Sequence, residues 1–118
     1  MTYKKFFPIV LINEGNARDH WAVKHKRNKR QQKIITLTWK ADRPEITLPC
    51  TVTLTKIGLR DWDEDNLIYS FKAIRDIIAD LILPGKAPGQ ADGDKRFTWK
   101  YAQRKEKIYG VEIDIQPQ

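Results

Sequence analysis

The spacing of apolar positions divides this chain into short segments of different period. Residues 3–12 are dense in aromatic and β-branched side chains, which predicts a strand, and Pro8 places it at a sheet edge or a bulge. Asn13-Glu14-Gly15-Asn16 reads as a turn. From Ala17 to Lys40 the pattern is helical, with Trp21, Lys24/His25, Asn28, Gln31/Gln32, Ile35 and Trp39 on one face. Much of that face is polar, so this helix is expected to show a large surface to solvent or to a partner. Its end, Ile34-Ile35-Thr36-Leu37-Thr38-Trp39, is rich in β-branched residues and also fits a strand. Asp42-Arg43-Pro44 breaks the pattern.

Residues 46–59 alternate as a half-buried strand should, with Thr51, Thr53 and Thr55 between Val52 and Leu54. After an acidic run, Leu67, Phe71, Ile74, Ile78 and Leu81 recur at three and four residues, which predicts a second helix to about Leu83. Pro84 and Gly85 end it. Phe97-Thr98-Trp99-Lys100-Tyr101 and Val111-Glu112-Ile113-Asp114-Ile115 alternate again. A charged turn around Arg104-Lys105-Glu106-Lys107 joins them, and they are expected to close as a hairpin. The order is β-α-β-α-β-β. It predicts an α+β fold, one domain over residues 1–118, with two main helices packed on a small mixed or antiparallel sheet.

A chain of 118 residues buries roughly two-thirds of its unfolded surface, enough for one core. No segment approaches the ~20 apolar residues that span a bilayer. The opening Met1-Thr2-Tyr3-Lys4-Lys5 leads into an apolar run too short for a signal peptide, so a cytoplasmic protein without membrane contact is expected. Cys50, the one cysteine, makes no disulfide within the chain and no zinc spacing, and reads as a strand residue facing the interior.

Charge changes the picture more than composition does. The net charge is +7, and residues 18–40 carry eight Lys/Arg against the single acid Asp19, while the rest of the chain has fourteen of each sign. All of the excess therefore lies on one segment, which favours a polyanion as partner. Arg18, Lys24, Lys26, Arg27, Lys29, Arg30 and Lys33 read as contacts to backbone phosphates. His20 and Trp21 are interleaved with them and are placed to stack on bases or sugars. For Trp39, Trp62 and Trp99 core packing is the expected role.

The candidate chemistry is acidic. Asp61-Trp62-Asp63-Glu64-Asp65-Asn66 puts four carboxylates in five residues at a helix start. Taken alone, the run fits an acidic first turn that complements the helix dipole. Three features point further. Asp61, Asp63 and Asp65 alternate along an extended approach, the run lies between a strand end and a helix, and a second acid pair, Asp92 and Asp94, follows that helix. Oxygen ligands from two segments suit Mg²⁺ or Mn²⁺. A calcium loop is excluded: the position that needs a bidentate glutamate would be Lys72. Lys72 lies two helical turns after Asp65 and reads either as a phosphate-holding cation or as a plain partner of Asp76 at i+4. No Ser/His/Asp order and no phosphate-binding glycine loop is present.

Asp63-Glu64-Asp65-Asn66-Leu67, then Lys72-Ala73-Ile74-Arg75-Asp76, then Asp92-Gly93-Asp94 resembles the RusA-type Holliday-junction resolvases, in particular their phage-borne branch. Asn16-Ala17-Arg18-Asp19-His20-Trp21 and Trp99-Lys100-Tyr101-Ala102-Gln103 extend the likeness over nearly the whole chain. The resemblance implies a homodimeric, Mg²⁺-dependent endonuclease that nicks branched DNA in recombination and repair. It implies Asp63, Asp65 and Asp94 as metal-binding acids, with Asp92 as the alternative third ligand, and Lys72 as the catalytic lysine. The lysine lies further from the D-x-D-N motif than the family pattern has it, and the loop at residues 84–90 is longer. The alternative is a non-catalytic nucleic-acid-binding module whose acids are structural.

Overall fold

The computed structural model describes residues 2–13, 21–87 and 89–118. Alternation in three strands and an unbroken buried run in a fourth give the sheet its order. The strands are β1 (Tyr3–Phe7), β2 (Cys50–Gly58), β3 (Phe97–Lys105) and β4 (Gly110–Pro117), and they lie side by side as β1-β4-β2-β3. β4 is antiparallel to both β1 and β2, whereas β3 is parallel to β2. The sheet is thus mixed.

A parallel pair needs a crossover, and helices supply it. α1 (Trp21–Asp42) lies between β1 and β2 in the chain, and α2 (Glu64–Ser70) and α3 (Lys72–Ile82) lie between β2 and β3. Both crossovers step in the same direction across the sheet. Connections of one hand then bring all the helices to the same face. On that face Tyr3, Ile115, Val52 and Trp99 form one row, followed by Lys5, Ile113, Leu54 and Tyr101, and then Phe7, Val111, Lys56 and Gln103. Ile35 and Trp39 from α1 and Leu67, Phe71, Ile74 and Ile78 from α2 and α3 join these strands in one core. The opposite face carries Lys4, Asp114, Thr53 and Lys100 in one row, and is the more polar.

The α+β class and the element order agree with the pattern in the sequence, and three details differ. The expected hairpin of residues 97–101 with 111–115 does not form, because β2 lies between β3 and β4. β2 is the strand buried along most of its length, so it gains most from neighbours on both sides. Residues 106–109 instead pass over its end. The Glu106 amide donates to the Gly58 carbonyl at 2.9 Å, and the Tyr109 ring lies so close that a Cβ on Gly58 would meet it at 3.2 Å. The second predicted helix is two helices, broken at Phe71 (φ −89°, ψ 0°), although its apolar stripe stays continuous. The first strand ends at Phe7, since Pro8 has no N–H to offer a partner, yet Ile9 and Leu11 stay in the core. Residues 34–39 are helical, with Ile35 and Trp39 buried four residues apart.

The end of α1 is tied to β1. The Tyr3 hydroxyl donates to Asp42 at 2.8 Å, Lys5 pairs with Asp42 at 3.3 Å, and the Tyr3 ring meets Trp39 edge-on at 5.3 Å. Burial first, then the bond to Asp42, pushes the Tyr3 hydroxyl above its ordinary value of 10.0. The next residue, Arg43, stops the helix in the left-handed region (φ 49°) with its amide bonded to the Trp39 carbonyl at 2.8 Å.

Arg43 occupies a conformation natural to glycine, so Arg43→Gly is expected to leave the fold intact and to stabilise it by up to about 1 kcal/mol in urea unfolding. The folded state holds the Tyr3 proton more tightly than the unfolded chain does. The contribution of Tyr3 is therefore complete below about pH 10 and is lost as pH rises beyond it. The gap between the urea midpoints of wild type and Tyr3→Phe, constant from pH 8 to about 10, should begin to narrow by pH 11; a gap that stays constant to pH 11 would refute the linkage.

Candidate active site

The acidic run sits where β2 hands over to α2. Its backbone is held from below. The Trp62 amide donates to the Gln103 side-chain oxygen at 2.7 Å, and the Gln103 amide donates back to the Trp62 carbonyl at 2.8 Å. Trp62 is thus a half-buried anchor beside the acids, packed against the core. Asp61 is exposed and pairs with Lys105 at 3.7 Å. Asp63 takes the N-cap position of α2 without a side-chain bond to the helix, and Glu64 and Asp65 form its first turn.

The acids do not stay together. Asp65 lines a pocket of about 470 Å³ with Ile68, Tyr69, Lys72, Arg75, Asp92 and Tyr101. Asp63 is exposed and lines no part of it. Asp92, not Asp94, is the second carboxylate there. The Asp94 carboxylate is engaged elsewhere: Arg96 donates to it from its backbone amide, Nε and Nη2, each at 3.0 Å, and Lys86 adds a bond at 3.0 Å. Those bonds, Arg96 first, hold its carboxyl well below the usual carboxylate range. The residues on either side of Gly93 therefore do different work.

Asp92 is fixed from several directions. Arg75 Nε donates to its carboxylate at 3.0 Å and Lys72 Nζ at 3.5 Å. Its backbone carbonyl accepts from Trp99 Nε1 at 3.0 Å and from Arg75 Nη2 at 3.4 Å. Arg75 also donates to the Tyr101 hydroxyl at 3.0 Å, and its guanidinium lies 4.7 Å from the centre of the Trp99 ring. One planar fork thus joins α3, the segment before β3 and β3 itself, a task that suits arginine better than lysine. Lys72 bonds Asp76 at 2.7 Å, the i+4 pair that its spacing predicts, as well as reaching Asp92. The bond to Asp76 comes first among the causes that raise the Lys72 ammonium, so it stays cationic at neutral pH. Burial pushes the Asp76 carboxyl up, and Lys72 draws it part of the way back.

The Asp65 carboxylate has no hydrogen bond or ion pair among the described residues, and is exposed at the pocket. No group of three or more His, Cys, Asp or Glu gathers closely enough to hold a metal among the described residues. Two carboxylates on one pocket nevertheless fit Mg²⁺, which is commonly held by one or two carboxylates with water and substrate phosphate oxygens completing its shell.

Of the basic segment, Arg18 and His20 lie outside the described residues. Trp21 is 73% exposed, which removes it from the core. His25, Lys26, Lys29, Arg30 and Lys33 are exposed along α1, and Lys24 and Arg27 are half-buried. Lys24 reaches across to α2, donating to the Tyr69 hydroxyl at 2.7 Å. A second cavity of about 170 Å³, lined by Lys24, Asn28, Tyr69 and Lys72, adjoins the acidic pocket through the two residues they share. The sequence pattern passed over Arg75, Tyr69 and Tyr101. A signal for Arg75 was present, since it follows Lys72 by three residues on the same face. Tyr101 reaches the site only through the pairing of β3.

Removing the fork should loosen the site. Arg75→Ala is expected to cost about 2 kcal/mol in chemical unfolding, because Asp92 and Tyr101 lose a charged partner. Arg75→Lys should recover only part of this, since an ammonium cannot bridge both groups. Full recovery by lysine would show that charge alone, not the planar fork, holds the loop.

No protein-family model, no curated protein and no solved structure matches this chain, so the functional reading rests on its residues and their geometry.

Proposed function

We propose that this protein is a divalent-metal-dependent endonuclease acting on branched DNA, of the RusA-type that its acidic motif resembles. The observation that carries the reading is the pocket of Asp65 and Asp92, bordered by the cations Lys72 and Arg75 and joined through Tyr69 to the basic helix α1. Acids able to hold a metal thus lie beside cations able to hold a phosphate, at the end of a surface suited to a nucleic-acid backbone.

In this reading Asp65 and Asp92 would hold Mg²⁺ or Mn²⁺, with Asp63 one helix turn or less away from Asp65. A bound divalent ion supplies Lewis-acid polarisation of the phosphodiester and a more acidic water. The chain's own residues do the rest. Lys72, 60% exposed at its side chain, can turn from Asp76 to a phosphoryl oxygen and stabilise the charge that grows there. Arg75 keeps Asp92 and Tyr101 in place as the substrate docks. Lys26, Lys29, Arg30 and Lys33 neutralise backbone phosphates along α1. Paired nicks across a four-way junction require two such sites, which a homodimer supplies.

A second reading has its own support. Lys72 and Arg75 already neutralise Asp92. That fits a binding module whose acids are structural. Incubation with a synthetic four-way junction and Mg²⁺ or Mn²⁺ separates the two. Wild type is expected to nick the junction, Asp65→Asn to bind without cutting, and Lys72→Met to be slowed about 10²–10³-fold. The double variant Lys29→Ala/Lys33→Ala should reduce the salt dependence of binding by about two phosphate contacts. Binding by wild type with no cleavage in either metal would establish the module instead.

A further inference from the structure

A separate cavity of about 340 Å³ is lined by Lys56, Ile57, Leu59, Arg60, Trp62 and Tyr109. It contains neither Asp65 nor Asp92, and the hydrolysis reading makes no use of it. Its unusual member is Lys56, a lysine 5% exposed near the end of the central strand. Lysine is seldom buried without a carboxylate partner. Here the Nζ donates to the Arg60 carbonyl and lies 4.6 Å from the centre of the Trp62 ring. No carboxylate lies within 4.0 Å of it among the described residues; the nearby Asp61 pairs with Lys105.

An ammonium has three donors, and the described partners account for one carbonyl and one ring face. Withdrawing a charge from water is costly unless another charge compensates it. Lys56 is therefore a buried cation that faces a cavity, with Asp61 near enough to act on it but with no direct ion pair among the described residues. Burial, the first cause, lowers its ammonium from its ordinary value, as expected for such a group. Arg60 adds a second cation at the rim, with no hydrogen bond or ion pair of its guanidinium among the described residues. The rest of the rim is apolar and half open, with Leu59 53% and Tyr109 50% exposed.

Two cations beside an exposed aliphatic and an exposed aromatic side chain match a ligand with a doubly charged head and a flat, partly apolar body. The volume is at the lower end of the range for small-molecule sites, about 300–1,000 Å³. We propose that this cavity binds a nucleotide, its phosphate monoester held by Lys56 and Arg60 and its base laid against Leu59 and Tyr109. The Trp62 face is occupied by the Lys56 ammonium, which leaves Tyr109 as the stacking surface. The site is distinct from the acidic pocket and needs no metal.

The test is binding of dTMP to the full chain in metal-free buffer, by calorimetry and by amide chemical shifts. Thymidine and inorganic phosphate serve as the two halves of the ligand. dTMP is expected to bind at least about tenfold more tightly than either half, with shifts centred on residues 56–62, 103 and 109. Lys56→Met and Arg60→Ala should each weaken it several-fold, while Lys100→Ala on the opposite sheet face leaves it unchanged. If Lys56→Met fails to fold, Arg60→Ala decides the matter, because that side chain is exposed. Equal affinity for inorganic phosphate alone, shifts confined to α1, wild-type affinity in Arg60→Ala, or no binding of dTMP at millimolar concentration would each overturn the proposal. Junction cleavage is measured separately, so either reading can fail without the other.

Discussion

The central position of β2 is the constraint on which the remaining structure depends. This strand is buried along most of its length and takes neighbours on both sides, β4 antiparallel and β3 parallel. The parallel neighbour requires a crossover through helices, and that crossover carries α2 and α3 over the sheet. The antiparallel neighbour requires the chain to pass over the end of β2, which the bare backbone at Gly58 permits. Residues far apart in the sequence meet around this strand: Leu54 lies beside Tyr101 and Ile113.

The residues that follow the same strand contribute to two cavities, an acidic one and a basic one. The loop at their start is clamped from beneath by Gln103 and by the Lys56 ammonium, so Trp62 is fixed between them. Asp65 and Asp92 line the first cavity, and Arg60 and Lys56 line the second. The charges are arranged differently in the two. In the acidic pocket Asp92 already has cations against it. In the other cavity the buried Lys56 has no carboxylate within ion-pair distance among the described residues, and only the more distant Asp61 acts on it. A polar group withdrawn from water needs compensation, and the kind that is missing indicates what each site can take up.

Of the residues that the resemblance to RusA-type resolvases implies, Asp65 and Lys72 line one pocket with Asp92, the alternative third ligand. Asp94, whose carboxylate is bound by Arg96 and Lys86, and Asp63 do not line that pocket. The alternation of acids in the sequence predicts that Asp63 and Asp65 share one side. That holds for an extended strand, whereas the helix begins at Glu64 and turns the second acid about its axis. No helix among the described residues is long and apolar enough to cross a membrane, in keeping with the absence of long apolar runs.

The sequence by itself determined the α+β class, the element order, the apolar stripe through Leu67, Phe71, Ile74 and Ile78, the exposed basic face of α1 and the pairing of Lys72 with Asp76. Each of these is set by spacing within one segment, and period and i+4 geometry are local properties. Only the tertiary structure decided that β2 separates β3 from β4, that Arg75 joins Asp92 to Tyr101, that Asp92 rather than Asp94 accompanies Asp65, and that Lys56 is buried beneath Trp62. Strand order depends on which strand gains most from two neighbours. Partner choice among several acids and bases depends on distances between segments that the chain brings together only when it folds.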